Sequence, residues 1–237
     1  MNHHRRGGTD GSKELIEQYQ QHFAYWCSEP DRGIYHAMIK GTSHASGEYV
    51  IFMNSGDAFY DKDILRKVAS LHLEADIITG QVERMDNHKL LREYDEDLLM
   101  QLYKDTLNHQ GTFIRRHLLE KFPYDEQLKV VSDWKFWLDA IYKENCKVEV
   151  IDQIIALQDM TGISSGAIFS YSVEYQKKER SSVLSLFFPP LLQQTHNNYS
   201  RLQRNPYVIY GKKLKQRPKV LYAIGWRLLR LLSKIPF

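Results

Sequence analysis

The run GEYVIFMN (47–54), followed at once by Ser55-Gly56-Asp57, constrains this chain more than any other stretch. A short apolar run headed by glycine, with no polar alternation, suits a strand buried on both faces, as in a parallel sheet. It ends on an acidic turn, and the carboxyl end of a parallel strand is where open α/β sheets hold their ligands. Asp57 is therefore either the cap of an ordinary turn or a candidate ligand for a divalent metal. Just upstream, FAYWCSE (23–29) is aromatic and bounded by Pro30, which predicts a strand running into a turn. Gly33 permits a tight bend. IYHAMIKGTSHA (34–45) then carries Ile34, Met38 and Ala45 at roughly helical spacing, a pattern that Gly41 weakens.

The rest of the chain alternates in the same way. GGTDGS (7–12) has turn chemistry and leads into a helix starting near Ser12, with Glu14 in its first turn, where the helix dipole favours an anion. Asp61 caps a helix in DILRKVASLHL. ADIITGQVE (75–83) is a strand, with HKLLREY as its returning partner. DEDLLMQLYK is a short helix and GTFIRR (111–116) a second buried strand. Ser132-Asp133 opens a helix whose Phe136, Trp137, Ala140 and Ile141 make an apolar face. Asp139, further along it, is expected on the solvated face, and Asp125 in the preceding turn is expected to be structural. KVEVIDQIIALQ supplies one or two strands, and SGAIFSYSVEYQKKER a helix that closes the domain. Such alternation predicts an α/β sandwich.

Charge divides the chain in two. Residues 180–237 hold 11 of the 32 Lys and Arg and none of the 29 Asp and Glu, so the basic tail differs chemically from the acidic remainder. The reading is a domain over 1–180 and a basic extension over 181–237. In the extension Leu221, Ile224, Leu228, Leu231 and Ile235 share one helical face, as in an amphipathic helix lying at a membrane surface. Aromatic residues there are too few and too scattered for a nucleic-acid stacking platform, so no nucleic-acid partner is expected. No apolar run approaches the ~20 residues that cross a bilayer. MNHHRRGG has basic residues with no apolar region behind them, so it does not read as a signal peptide. Two distant cysteines, Cys27 and Cys146, are expected to stay reduced, as in a cytoplasmic protein, one that lies peripherally at the inner face of the plasma membrane.

EPDRGIYHAMIKG (29–41) followed by GEYVIFMNSGD (47–57) resembles the inverting family 2 glycosyltransferases, whose usual form is close to EPDxGIYDAMNKG and then GEYxxFLNSDD. NHQGTFIRR (108–116) and VSDWKFWLDAI (131–141) match further, at a His-Gln pair on a strand and an Asp opening a helix. The matches run from about Gly8 to Ser164. The resemblance implies a glycosyltransferase A-type, Rossmann-like α/β sandwich. It implies transfer of a sugar from a nucleotide-diphosphate donor to a saccharide or lipid-linked acceptor in polysaccharide biosynthesis, assisted by Mg²⁺ or Mn²⁺. Residue by residue, it implies that Asp57 holds the metal and that Asp31, Arg32 and Asn54 bind the donor. Asp133 is the general base, and His109 and Gln110 lie on the acceptor side.

The chain departs from the family at several positions. Gly56 stands where a second carboxylate is often found, and His36 and Ile39 replace an Asp and an Asn. The family places a strand, a helix and a second strand ahead of a DGGSTDGS turn, whereas this chain has six residues before its equivalent, too few by length for a strand and its connection. The expected architecture is therefore a sandwich lacking its first strand-helix-strand unit, with Arg5-Arg6 where an acid is usual. A truncated, non-catalytic module that binds a partner or a membrane is the alternative reading.

Overall fold

In the computed structural model, which describes residues 2–5, 11–91, 98–160 and 173–203, strands and helices alternate as the sequence predicts. Strand β1 (Asn2–Arg5), helix α1 (Ser12–Gln18) and strand β2 (Tyr25–Ser28) come first, and the two strands pair in parallel with Asn2 opposite Tyr25 and Arg5 opposite Ser28. The expectation that six residues are too few for a strand is thereby overturned: four of them form one, because β2 offers a full ladder of partners.

Helix α2 (Ile34–Ser43) follows. It buries Tyr35, Met38 and Thr42, a stripe at three- and four-residue intervals. Thr42 Oγ1 donates to Met38 O at 2.9 Å across the turn that holds Gly41. Strands β3 (Tyr49–Val50) and β4 (Ala58–Phe59) flank the acidic turn, and α3 (Ile64–Ala69), β5 (Ile77–Arg84), α4 (Leu98–Lys104), β6 (Thr112–Arg115), α5 (Arg116–Lys121), α6 (Ser132–Leu138) and β7 (Val148–Gln158) complete the domain. These strands make a five-stranded sheet in the order β3-β6-β5-β7-β4. Only β5 and β7 run parallel; the other neighbours are antiparallel.

The doubly buried parallel strand expected at GEYVIFMN is β5 instead, where Ile77, Ile78, Thr79 and Gly80 are all buried. Of the GEYVIFMN run only Tyr49 and Val50 enter the sheet, half-buried, as the edge strand β3, antiparallel to β6. Arg115 explains part of this, since its guanidinium lies over the Tyr49 ring at 5.0 Å and pairs with Glu48, which keeps that end of the run at the solvent margin. Behind the sheet, Ile64 and Val68 of α3 pack on Ala75, Ile78, Ile151 and Ile155. Asp61 does not cap α3 from the adjoining position. It accepts the Asp63 N–H at 2.7 Å and pairs with Lys67, anchoring the first turn from two residues upstream.

The returning partner of β5 amounts to a single antiparallel bridge between Glu83 and Leu90. Helix α6 is anchored by Trp134, Phe136, Trp137 and Leu138, all but fully buried, and each such side chain contributes about 1.5–3 kcal/mol. Its last turn widens into a π-turn over Asp139–Lys143. That turn buries Asp139 between Lys135 and Lys143, so the solvated position expected for it is corrected.

Helix α7 (Val173–Phe187) runs through position 180, and the chain separates into two compact units, 1–187 and 188–237. The second unit contributes α8 (Pro190–Gln203), with proline at its first helical position, where a missing N–H costs nothing. Residues 161–172, where the closing helix was expected to begin, and 204–237, where the amphipathic helix of the tail was expected, lie outside the described residues. No described helix is long and apolar enough to cross a membrane.

Candidate active site

The acidic turn is fixed from three sides. Asp57 N donates to Asn54 O at 3.1 Å, closing the turn, and Asp57 Oδ2 accepts the Asn54 N–H at 3.3 Å. The same oxygen accepts Gln110 Nε2 at 3.0 Å. Oδ1 accepts the Asp159 N–H at 2.9 Å. That last bond follows from register: β4 sets Ala58 opposite Leu157 and Phe59 opposite Ala156, so the residue before Ala58 meets the end of β7. Burial pushes the Asp57 carboxyl above its ordinary range, and these three donors together with nearby His109 offset part of that cost.

Gly56 has φ +90°, a left-handed conformation that side chains rarely adopt. A Cβ on it would lie 2.5 Å from Asp159 Oδ2, so the Asp159 carboxylate occupies the space above the turn. Sequence reasoning missed Asp159, although the rule that singled out Asp57, an acid at a strand's carboxyl end, applies equally to it.

His109, Gln110 and Gly111 form one 3₁₀ turn ahead of β6. It packs tightly on β5, since a Cβ on Gly111 would lie 2.6 Å from Val82 Cγ2 and 2.9 Å from Gly80 O. The turn sends adjacent side chains to different elements. Gln110, 3% exposed, reaches across to Asp57. His109 Nε2 meets Asn54 Nδ2 at 2.9 Å, and its Nδ1 lies 3.4 Å from Asp133 Oδ2.

Asp133, in the first turn of α6, is largely buried. Its Oδ1 accepts the Trp134 N–H at 2.8 Å and lies 3.2 Å from the Tyr35 hydroxyl. Tyr35 also donates to Val130 O at 2.8 Å and accepts the Ser132 N–H at 3.2 Å, which locks the start of α6 to α2. Burial and the neighbouring Asp133 charge push the Tyr35 phenol well above its ordinary range, so it remains a donor. Tyr35 is the second residue that the sequence did not single out.

The other candidates stand apart from this network. Asp31 accepts the Gly33 N–H at 2.8 Å and builds the bend into α2. Arg32 makes a paired contact to Glu126 at 2.8 and 2.9 Å. His36, in place of the family's Asp, keeps an acceptor on the same turn, since its Nδ1 receives the Arg32 N–H at 3.1 Å. Ile39 faces an apolar recess of about 270 Å³ with Leu119, Pro123 and Tyr124, where the asparagine usual in the family would be out of place. Asp125 accepts the Gln127 N–H at 3.0 Å, as a structural turn residue should.

The glycosyl transferase family 2 model matches residues 6–123, which include the acidic turn and the His109-Gln110 pair. The chain belongs to glycosyl transferase family 2. A PGL/p-HBAD biosynthesis glycosyltransferase of Mycobacterium bovis is 34% identical over 113 residues, 46% of this chain and 43% of that protein. An uncharacterized glycosyltransferase of Mycobacterium tuberculosis is 30% identical over 170 residues, 67% of this chain and 63% of the relative. The chain thus spans less than half the length of the first of these relatives and under two thirds of the second. TarS of S. aureus, in a crystal structure of its residues 1–349 with UDP, superposes with a TM-score of 0.58 at 16% identity, over 82% of this chain and 58% of that one. That likeness identifies the fold as the glycosyltransferase A type.

Proposed function

We propose that this chain is an inverting, metal-dependent glycosyltransferase that moves a sugar from a nucleoside-diphosphate donor to a saccharide or lipid-linked acceptor. The observation that carries the reading is that adjacent residues tie together the two carboxylates the reaction needs, Gln110 holding Asp57 and His109 facing Asp133.

The site residues fit a divalent metal. Among the described residues Asp57 Oδ2 has two donors and Oδ1 one, which leaves one Oδ1 lone pair for a cation. Asp159 brings a second carboxylate to the same turn. No described group of three acidic, histidine or cysteine residues could enclose an ion, which suits Mg²⁺ or Mn²⁺, since these keep waters and take phosphate oxygens as further ligands. When bound, the metal neutralises charge on the departing diphosphate.

Asp133 performs the proton chemistry. Its Oδ1 accepts the Trp134 N–H with the Tyr35 hydroxyl 3.2 Å away, and Oδ2 faces only His109 among the described residues, so one Oδ2 lone pair is free for an acceptor hydroxyl. The hydroxyl proton passes to Oδ2, and the acceptor oxygen bonds to the anomeric carbon. The carbon–phosphate-oxygen bond breaks on the opposite face with its electron pair leaving on the diphosphate. A positioned base of this kind contributes about 10²–10⁴ in rate.

The M. bovis relative's name supports a place in biosynthesis, and UDP in the TarS crystal makes uracil the first base to try. The basic extension supports peripheral contact with an anionic membrane, where a lipid-linked acceptor would reside. The test is titration calorimetry of UDP with and without Mn²⁺, followed by a panel of UDP-sugars scored for UDP release. Mn²⁺-dependent binding with release abolished by Asp133→Asn is expected; full release by that variant would overturn the assignment of the base.

A further inference from the structure

We propose that His109 is a positioning residue for Asp133, held in a single tautomer by the donor-side residue Asn54; the inference rests on Asp133 being the base. A neutral imidazole has one N–H and one lone pair, so the partners of its two nitrogens are not independent. Asp133 faces Nδ1 at 3.4 Å. A carboxylate has only lone pairs to offer, so Nδ1 must carry the proton. Nε2 is then an acceptor, which requires Asn54 to present its NH₂ group, as it does at 2.9 Å. The opposite amide orientation would need Nε2–H and would leave the Nδ1 lone pair against the carboxylate. For the neutral ring, one arrangement therefore satisfies Asn54, His109 and Asp133 together.

Two consequences follow. With Nε2 committed to Asn54, His109 has no lone pair for an acceptor proton, so it does not act as a second base. Its Nδ1–H instead holds Oδ2 in line and leaves the remaining Oδ2 lone pair directed at the acceptor. The contact is long for a charge-assisted bond, as catalytic hydrogen bonds often are before substrate binds. Asn54 belongs to the turn that carries Asp57, its carbonyl accepting Asp57 N–H at 3.1 Å. Ordering that turn around donor and metal therefore fixes Asn54, then the His109 tautomer, then the base, so that the base is aligned when donor is present.

Histidine-selective ¹⁵N labelling of the full chain tests this through two-bond ¹H–¹⁵N correlations, read with and without UDP and Mn²⁺. A neutral His109 protonated on Nδ1 is expected in the wild type, with population moving to the Nε2–H form in Asp133→Ala and in Asn54→Leu. An Nε2–H ring in the wild type, or a tautomer indifferent to both changes, would overturn the proposal. Kinetics on the donor found by the UDP-sugar panel supply the second readout. His109→Ala should lower kcat ten- to a hundredfold with donor KM within about threefold, and His109→Asn, which keeps an N–H near the Nδ1 position, should recover most of the loss. Equal loss in both variants with raised acceptor KM would make His109 an acceptor contact and sink the positioning role. The base assignment is judged separately by Asp133→Asn, so either idea can fail alone.

Discussion

Gln110 Nε2 donates to Asp57 Oδ2 at 3.0 Å, an amide held 3% exposed against a carboxylate that burial disfavours as an anion. A hydrogen bond to a charged, part-buried acceptor contributes about 1.5–3 kcal/mol. Gln110→Leu keeps the volume and removes the donor. Urea unfolding at pH 7 should register a loss in that range, and the loss should shrink as pH falls and Asp57 is protonated. A loss independent of pH would mean that Gln110 acts through packing alone.

Asp57 itself lowers stability at neutral pH. Its folded carboxyl sits above the ordinary value of about 3.9, so the folded chain binds that proton more tightly than the unfolded one. Stability is then greatest below the unfolded value and declines as pH rises through the raised folded value. Asp57→Asn should flatten this slope and match or exceed wild-type stability at pH 7, provided the Gln110 amide turns to present its oxygen. The same variant should lose the protection given by UDP with Mn²⁺, which at a hundredfold Kd is about 2.7 kcal/mol. Melting curves across pH, with and without UDP and Mn²⁺, read both effects. Retained Mn²⁺ protection would remove Asp57 from the metal site.

Sequence reasoning went furthest where a single residue type in a local context sufficed. The acid after an apolar run at Asp57 and the acid opening an aromatic-rich helix at Asp133 were both legible, and the structure links them through one short turn. Pairing partners were not legible. Periodicity cannot tell a buried central strand from an edge strand of equal hydrophobicity, so β5 and β3 exchanged roles. The Arg32–Glu126 pair was not legible, because its partners are 94 positions apart. The destinations of the His109 and Gln110 side chains diverge within one 3₁₀ turn, which no spacing rule resolves. Asp159 was missed although it too follows a strand's carboxyl end, because only a long-range contact with Gly56 ties it to the acidic turn.

That contact makes a double-mutant prediction. Where the family often has two successive acids, this chain has Gly56, and the Asp159 carboxylate fills the space a side chain there would need. Asp tolerates left-handed backbone better than most residues, so the obstacle to Gly56→Asp is chiefly Asp159. Gly56→Asp alone should cost more than about 1 kcal/mol, as strained backbone positions do. Combined with Asp159→Gly it should cost at least ~1 kcal/mol less than the two single losses together, and Mn²⁺-dependent UDP protection should return. Additive losses would mean that the two positions are independent.

Cys146 supplies a chemical test of the fold. Burial, with the Asp76 charge nearby, pushes its thiol up to about 12, so almost no thiolate is present at pH 8. Alkylation at that pH followed by peptide mapping should find Cys146 nearly unlabelled in the native chain and fully labelled in 6 M guanidinium. Rapid native labelling would mean that the turn ahead of β7 opens in solution.

The basic tail gives the last prediction. Residues 204–237 contain nine Lys and Arg and no acid, and Lys212, Lys213 and Lys215 are clustered. Each such charge near an anionic leaflet contributes about 1 kcal/mol, an attraction that falls off within a Debye length. Changing the three lysines to glutamine should therefore weaken binding to phosphatidylserine-containing vesicles by roughly a hundredfold. Wild-type binding should fall steeply between 0.1 and 0.5 M salt at constant lipid, as expected where charge supplies most of the attraction. What survives at high salt measures the apolar side chains of the tail, Leu221, Leu228 and Leu231 among them, so Leu228→Asp should remove the residue that salt leaves behind. Co-sedimentation with anionic and with neutral vesicles reads both contributions, and equal binding to the two lipids would show that charge plays no part in holding this chain at a membrane.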